Sequence, residues 1–157
     1  MNIITRLKLC ENQIFYVSGY PENGIKYLEF LKKEGINNIF NFCYLSKCDQ
    51  HFKYSNINYH IMPFKDGNFP NYDLIDRFLS ECESIFKTQK KIAVFCKSGM
   101  GRAPTMIALQ MINNKMDNEE VIEYIRKQRK GCFNNFQVQG IIEYNKNNKD
   151  YSCCILS

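Results

Sequence analysis

The chain has 157 residues, 45% of them hydrophobic, and a formal charge of +5. That is one domain's length with enough apolar residues for a core, and no apolar run approaches the ~20 residues of a membrane-spanning helix. The charge is too small and too scattered for a nucleic-acid surface, and suits an anionic substrate or an anionic membrane leaflet.

In chain order, residues 13–18 (Q-I-F-Y-V-S) predict a first strand. Asn23 caps a helix running to about Glu34, with Gly35 as its terminator and Tyr27, Leu28, Phe30 and Leu31 inward. Ile36 to Cys43 reads as a second strand, and 44–56 as polar and irregular. Ile57 to Met62 gives a third strand, and Pro63 to Pro70 a loop. A helix from about Asn71 to Phe86 carries Leu74, Ile75, Phe78, Leu79, Cys82 and Ile85 on one face. Lys91 to Phe95 is the fourth strand. Three helices follow. They run from about Pro104 to Asn113, from the Asp117–Glu120 capping box to near Lys130–Gly131, and from Asn134 with Gln137 at its third position. No repeat or linker interrupts this order. Strands alternating with helices predict a single α/β domain, residues 1–146, around a mainly parallel sheet flanked by helices, with a flexible tail at 147–157.

The eight Cys are irregularly spaced and include no C-x-x-C pair. A reducing compartment is expected rather than a secreted disulfide framework. With two His, no metal site is expected. The N-terminus lacks a basic segment followed by an apolar one, so no secretory leader is expected.

The chemistry concentrates at K-I-A-V-F-C-K-S-G-M-G-R-A-P, residues 91–104. A buried strand stops at Cys96, a small-residue loop follows, and a helix opens at Arg102-Ala103-Pro104. Spacing alone would equally describe a core Cys and a solvated Arg. The order strand, loop, helix changes that. Such a loop turns several backbone N–H groups toward one point, and the helix dipole adds positive potential there. The same field favours a thiolate, and Arg102 offers a planar fork to two phosphate oxygens. Cys96 is the candidate nucleophile, and Lys97, Ser98, Gly99, Met100, Gly101 and Arg102 form the candidate phosphate loop. No cofactor is required. In an open α/β sheet, ligands bind beyond the carboxyl ends of the strands. Parallel neighbours there would bring Cys43, Cys96 and the loop containing Asp66 to one edge.

Asp66, in P-F-K-D-G, is the candidate acid for a leaving alkoxide, although Asp-Gly is also an ordinary turn pair. Gln137 is a candidate positioner of water and equally a helix-capping residue. Cys43 reads either as a buried core thiol or as a partner that captures oxidised Cys96, with Cys48 as its rival. The final residues Cys154-Ile155-Leu156-Ser157 fit a farnesylation signal, and Cys153 is a candidate for a second acyl chain.

These motifs resemble the prenylated phosphatases of regenerating liver (protein tyrosine phosphatases type IVA), from about Asn12 to Tyr144 and again at the tail. C-K-S-G-M-G-R-A-P is similar to the family's nucleophile loop, including Ala103 after the Arg. P-F-K-D-G is similar to its acid loop, I-F-N-F-C to the strand ending in its regulatory Cys, and I-R-K-Q-R-K-G-C-F-N to a shared basic helix end. C-C-I-L-S is similar to its farnesylated terminus. The resemblance implies a dual-specificity phosphatase fold and metal-free hydrolysis of phosphoproteins through a phosphocysteine. It implies Asp66 as the acid and Cys43 as the redox partner. It further implies farnesyltransferase as a partner, residence on the cytoplasmic face of membranes, and binding to magnesium transport mediators, and leaves homo-oligomers open. The departures are Phe95 for the family's His, Met62 for its Trp, Lys97 for an apolar loop residue, and a thin basic run before the prenyl Cys. Phe95 and Ala103 together predict slow turnover. Lys97 is similar to loops that act on phosphoinositides, which makes a lipid phosphate the alternative substrate.

Overall fold

The computed structural model describes residues 3–44 and 49–144. Five strands form one sheet: β1 (Thr5–Cys10), β2 (Gln13–Ser18), β3 (Asn38–Asn41), β4 (Asn58–Ile61) and β5 (Lys91–Phe95), in the order β1-β2-β5-β3-β4. β1 runs antiparallel to β2, and every other pair is parallel. Helices α1 (Gly24–Glu34) and α2 (Asp49–Lys53) lie against one face. Helices α3 (Tyr72–Phe86), α4 (Arg102–Asn113), α5 (Asn118–Gln128) and α6 (135–144) cover the other.

Local chemistry sets most boundaries. Asn23 Oδ1 accepts from Lys26 N at 3.0 Å, and Gly35 closes α1 in the left-handed region at φ 68°. Asn71 caps α3, whose Ile75, Phe78, Leu79, Cys82 and Ile85 are buried at helical spacing. Asp117 Oδ2 caps α5 through Glu119 N and Glu120 N. Asn134 and Gln137 form a reciprocal box at α6, with Gln137 N donating to Asn134 Oδ1 at 2.8 Å and Asn134 N to Gln137 Oε1 at 3.1 Å.

Several elements differ from the sequence reading. β1 was not expected, although Arg6, Leu7, Lys8 and Leu9 alternate polar and apolar; only Leu7 is fully buried. The second predicted strand shortens to Asn38–Asn41, although Phe42 N still donates to Phe95 O at 3.0 Å. Within the stretch expected to be irregular, α2 forms because Phe52 is buried among Tyr27, Tyr59 and Phe95. α4 begins at Arg102, two residues early, which puts Pro104 in the first turn, where its missing N–H has no partner to lose.

Candidate active site

The parallel order β5-β3-β4 carries three chain segments to the same sheet edge: Cys96 directly after β5, Phe42 and Cys43 directly after β3, and the Phe64–Asp66 segment after β4. Arg102 gathers them. Its Nη1 donates to Phe42 O at 3.0 Å and to Phe64 O at 3.2 Å. Its Nε lies 3.3 Å from Asp66 Oδ1 but off the line of a hydrogen bond, and no other group pairs with it. Arg102 is 4% exposed and Cys96 1%, so a thiol and a guanidinium share one buried floor. A guanidinium held from one side by carbonyls keeps its remaining donors for an incoming anion.

The loop between them is turned inside out. Each carbonyl from Lys97 to Gly101 is bound on its outer side. Lys97 O accepts from Tyr20 N (3.0 Å), Ser98 O from Arg129 Nη2 (3.4 Å) and Gly99 O from Arg129 Nε (2.8 Å). Met100 O accepts from Phe133 N (2.9 Å), and Gly101 O from Thr105 N (3.0 Å) and Thr105 Oγ1 (2.8 Å). Carbonyls held from outside leave N–H groups free to turn toward the concave side, the arrangement of an anion cradle at a helix N-terminus, with Met100 N also donating to Ser98 Oγ at 3.3 Å. Gly99 makes the curl feasible. Its φ is 71°, and a Cβ there would fall 2.4 Å from the Ser18 carbonyl carbon.

Between the loop and the Asp66 segment is a shallow cleft of about 260 Å³, lined by Asp66, Gly67, Ser98, Met100, Gly101 and Gln137 among others. Asp66 is 63% exposed, and its Oδ1 accepts from Gly67 N at 3.1 Å, so the carboxylate stands at the rim. The α6 cap fastens the acid loop: Asn134 Nδ2 donates to Gly67 O at 2.9 Å and Gln137 Nε2 to Asn68 O at 3.4 Å. Gln137 is buried and touches Gly101, where a Cβ would lie 2.9 Å from its Nε2. It therefore caps the helix and lines the cleft at once.

The thiols of Cys43 and Cys132 share the buried core cluster that holds Cys96. Cys43 is buried and interacts electrostatically with Cys96. Burial pushes its thiol up and Arg102 pulls it down. Cys132, which sequence reasoning did not single out, is 1% exposed and also interacts with Cys96; burial raises its thiol to about 11. Asn134 and Arg129 were also missed as site residues. Both act through backbone carbonyls of distant segments, which no local pattern reveals. Cys48, Cys153 and Cys154 lie outside the described residues. Lys97 and Lys65 are exposed, adjoining Cys96 and Asp66 in sequence. Among the described residues, no cluster of His, Cys, Asp and Glu could hold a metal ion. Phe95 points away from Cys96 into the core of the opposite sheet face, ringed by Tyr20, Tyr27 and Phe52. Met62, where the resemblance expected Trp, is fully buried.

A buried thiol and guanidinium joined by a loop whose carbonyls are held from outside, with a carboxylate at the rim, are equipped for displacement at a phosphate ester. Comparison with known proteins agrees. Residues 16–147 match the family described as "Dual specificity phosphatase, catalytic domain". Protein tyrosine phosphatase type IVA 2 of Mus musculus is 30% identical over 138 residues, 85% of this chain and 83% of the relative. Type IVA 3 of Bos taurus is 29% identical over 138 residues, 85% of this chain and 80% of that one. The fold is also that of kinase associated phosphatase solved with its catalytic-site cysteine replaced by serine. That likeness has a TM-score of 0.84 at 22% identity and covers 93% of this chain and 95% of that one. The chain thus belongs to the dual-specificity phosphatases and, within them, to the protein tyrosine phosphatases of type IVA.

Proposed function

We propose that this phosphatase hydrolyses phosphoproteins through a cysteinyl-phosphate while anchored by a prenyl group to the cytoplasmic face of membranes. The observation that carries the chemistry is the loop whose five consecutive carbonyls are all bound on the outside, with Cys96 and Arg102 buried within it. Cys96 Sγ attacks phosphorus, the P–O bond to the leaving oxygen breaks, and Asp66 supplies that oxygen's proton. The loop N–H groups and the Arg102 fork hold the non-bridging oxygens as their charge develops. Water oriented by Gln137 then forms the new P–O bond, the S–P bond breaks, the thiolate returns and Asp66 regains a proton. Cys96→Ser tests the first step, because a serine hydroxyl without a base is not ionised near neutral pH; it should abolish hydrolysis of an aryl phosphate.

Anchorage rests on Cys154-Ile155-Leu156-Ser157 as a farnesyltransferase substrate. One prenyl chain gives marginal, reversible attachment, so the basic body or an acyl chain on Cys153 must assist it. Cys154→Ser should release the protein from membranes in fractionated cells; retention on membranes would rule the anchor out.

A phosphoinositide is the second reading, supported by the exposed Lys97 inside the nucleophile loop. A protein of the same fold, PTPMT1, has been solved in complex with PI(5)P, at 15% identity and a TM-score of 0.76. A panel of phosphopeptides and phosphoinositides at equal concentration distinguishes the readings, and Lys97→Leu should lower only the lipid rates.

A further inference from the structure

Arg129 follows the last residue of α5, where a cation is favoured by the helix dipole. Its side chain reaches two ways. Toward the nucleophile loop, Nε donates to Gly99 O at 2.8 Å and Nη2 to Ser98 O at 3.4 Å. Toward the first strand, Nη1 donates to Ile3 O at 3.0 Å and to Thr5 Oγ1 at 2.9 Å. Every acceptor is uncharged, and among the described residues no carboxylate forms an ion pair with it. The positive charge therefore stands unneutralised behind the loop, adding to the potential an anion meets on the concave side.

We propose that Arg129 is a positioning residue of the phosphate loop, held in place by the N-terminal segment Ile3–Thr5. Fixing a carbonyl outward fixes the N–H of the following residue inward, because the peptide unit is planar and trans. Binding Ser98 O and Gly99 O therefore orients the N–H groups of Gly99 and Met100. The Gly99–Met100 peptide has one further tie, Met100 N donating to Ser98 Oγ at 3.3 Å. Gly99 sits at positive φ with no side chain to restrain it, and the loop makes no helical bonds there. The other three loop carbonyls are held by backbone N–H groups of Tyr20, Phe133 and Thr105, so Arg129 is the one side chain spanning two adjacent loop peptides. The guanidinium fork suits two neighbouring carbonyls, whereas an ammonium would hold one at a time. The β1 contacts give the strand a function in the site, although it lies two strands from β5 in the sheet.

The proposal rests on the phosphatase reading, and the experiment separates the two. Orthovanadate inhibition, kcat/KM for an aryl phosphate and the melting temperature are measured on the parent protein, Arg129→Ala, Arg129→Lys, Thr5→Ala and Tyr124→Phe. Tyr124 also ties β1 to α5, its hydroxyl bonding Lys8 N (3.0 Å) and Lys8 O (3.1 Å), but it does not reach the loop. Arg129→Ala should weaken orthovanadate and lower kcat/KM by about tenfold each, the scale of one or two lost hydrogen bonds at an anion site. Arg129→Lys should recover part of the loss, and Thr5→Ala should show a smaller loss of the same kind. Tyr124→Phe should lower the melting temperature and leave both site readings within about twofold. If Arg129→Ala does not fold, Arg129→Lys and Thr5→Ala carry the same test. Orthovanadate affinity and kcat/KM unchanged in folded Arg129 and Thr5 variants would overturn the proposal. A parent protein with neither activity nor orthovanadate affinity would overturn the phosphatase reading and this one with it.

Discussion

Arg102 Nη1 donates to the Phe42 carbonyl at 3.0 Å, one residue before Cys43, so the end of β3 orients the guanidinium proposed to bind phosphate. Arg102→Lys keeps the charge and loses the fork, since one ammonium cannot serve the carbonyls and two phosphate oxygens together. We expect kcat/KM for an aryl phosphate to fall by at least about a hundredfold. Retention within about tenfold would show that the fork is not used.

Asp66→Asn should harm poor leaving groups far more than good ones, because only a basic alkoxide needs a proton as it departs. A series of aryl phosphates of graded leaving-group acidity reads this directly. An equal loss across the series would argue against the acid role. The exposed position of Asp66 at the cleft rim, beside a buried Arg102, is the geometry this reading needs.

Mild hydroperoxide should convert Cys96 to a sulfenic acid, which a neighbouring thiol attacks to form a disulfide with loss of water. Cys43 is the expected partner, and the bond should be reversed by thiols. Peptide mapping discriminates among the alternatives. A Cys96–Cys132 bridge would assign the role to the other buried neighbour, and irreversible oxidation of Cys96 would show that no thiol resolves it.

Turnover should be limited by breakdown of the phosphoenzyme. Ala103 has no hydroxyl to offer the departing thiolate, and the next hydroxyl on α4, Thr105 Oγ1, is already bonded to Gly101 O. Ala103→Ser should raise kcat about fivefold, the scale of one hydrogen bond. An unchanged kcat would make the first step limiting. Phe95→His, the other substitution toward the family pattern, places an imidazole among Tyr20, Tyr27 and Phe52 on the opposite sheet face and should cost stability.

Acid should destabilise the fold through His60. Burial lowers its pKa, Glu81 opposes that shift, and the ring stacks on Phe40 at 4.3 Å. The folded state therefore binds fewer protons than the unfolded one below the usual imidazole value of about 6.5. The His60 contribution is fully present above that value and is lost as pH falls toward the folded-state value. Melting temperature measured between about pH 7.5 and pH 5 should fall in the parent protein and fall less in His60→Phe.

The strands and helices that carry the site were legible because their signals are local. Gly35, Asn71, Asp117 and Asn134 each mark a helix end through their own neighbours, and Lys91–Phe95 is an apolar run stopped by Cys96. The candidate nucleophile loop stood out for the same reason: its residues are consecutive. What escaped was long-range. Arg129 meets Ile3 across 126 residues of sequence, and Asn134 meets Gly67 across 67. Cys132 reads as an ordinary residue of a basic helix end until the fold brings it into the same buried cluster as Cys96. Helix α2 exists because Phe52 fills an aromatic gap made by three other elements.

Rapid-quench kinetics on an aryl phosphate test the central claim most directly. The first turnover should release aryl alcohol in a burst equal to the enzyme concentration, followed by a slow steady state. Acid-quenched protein from that phase should carry phosphate on the peptide containing Cys96. Phosphate on any other residue, or undiminished turnover after Cys96 is alkylated, would contradict the account.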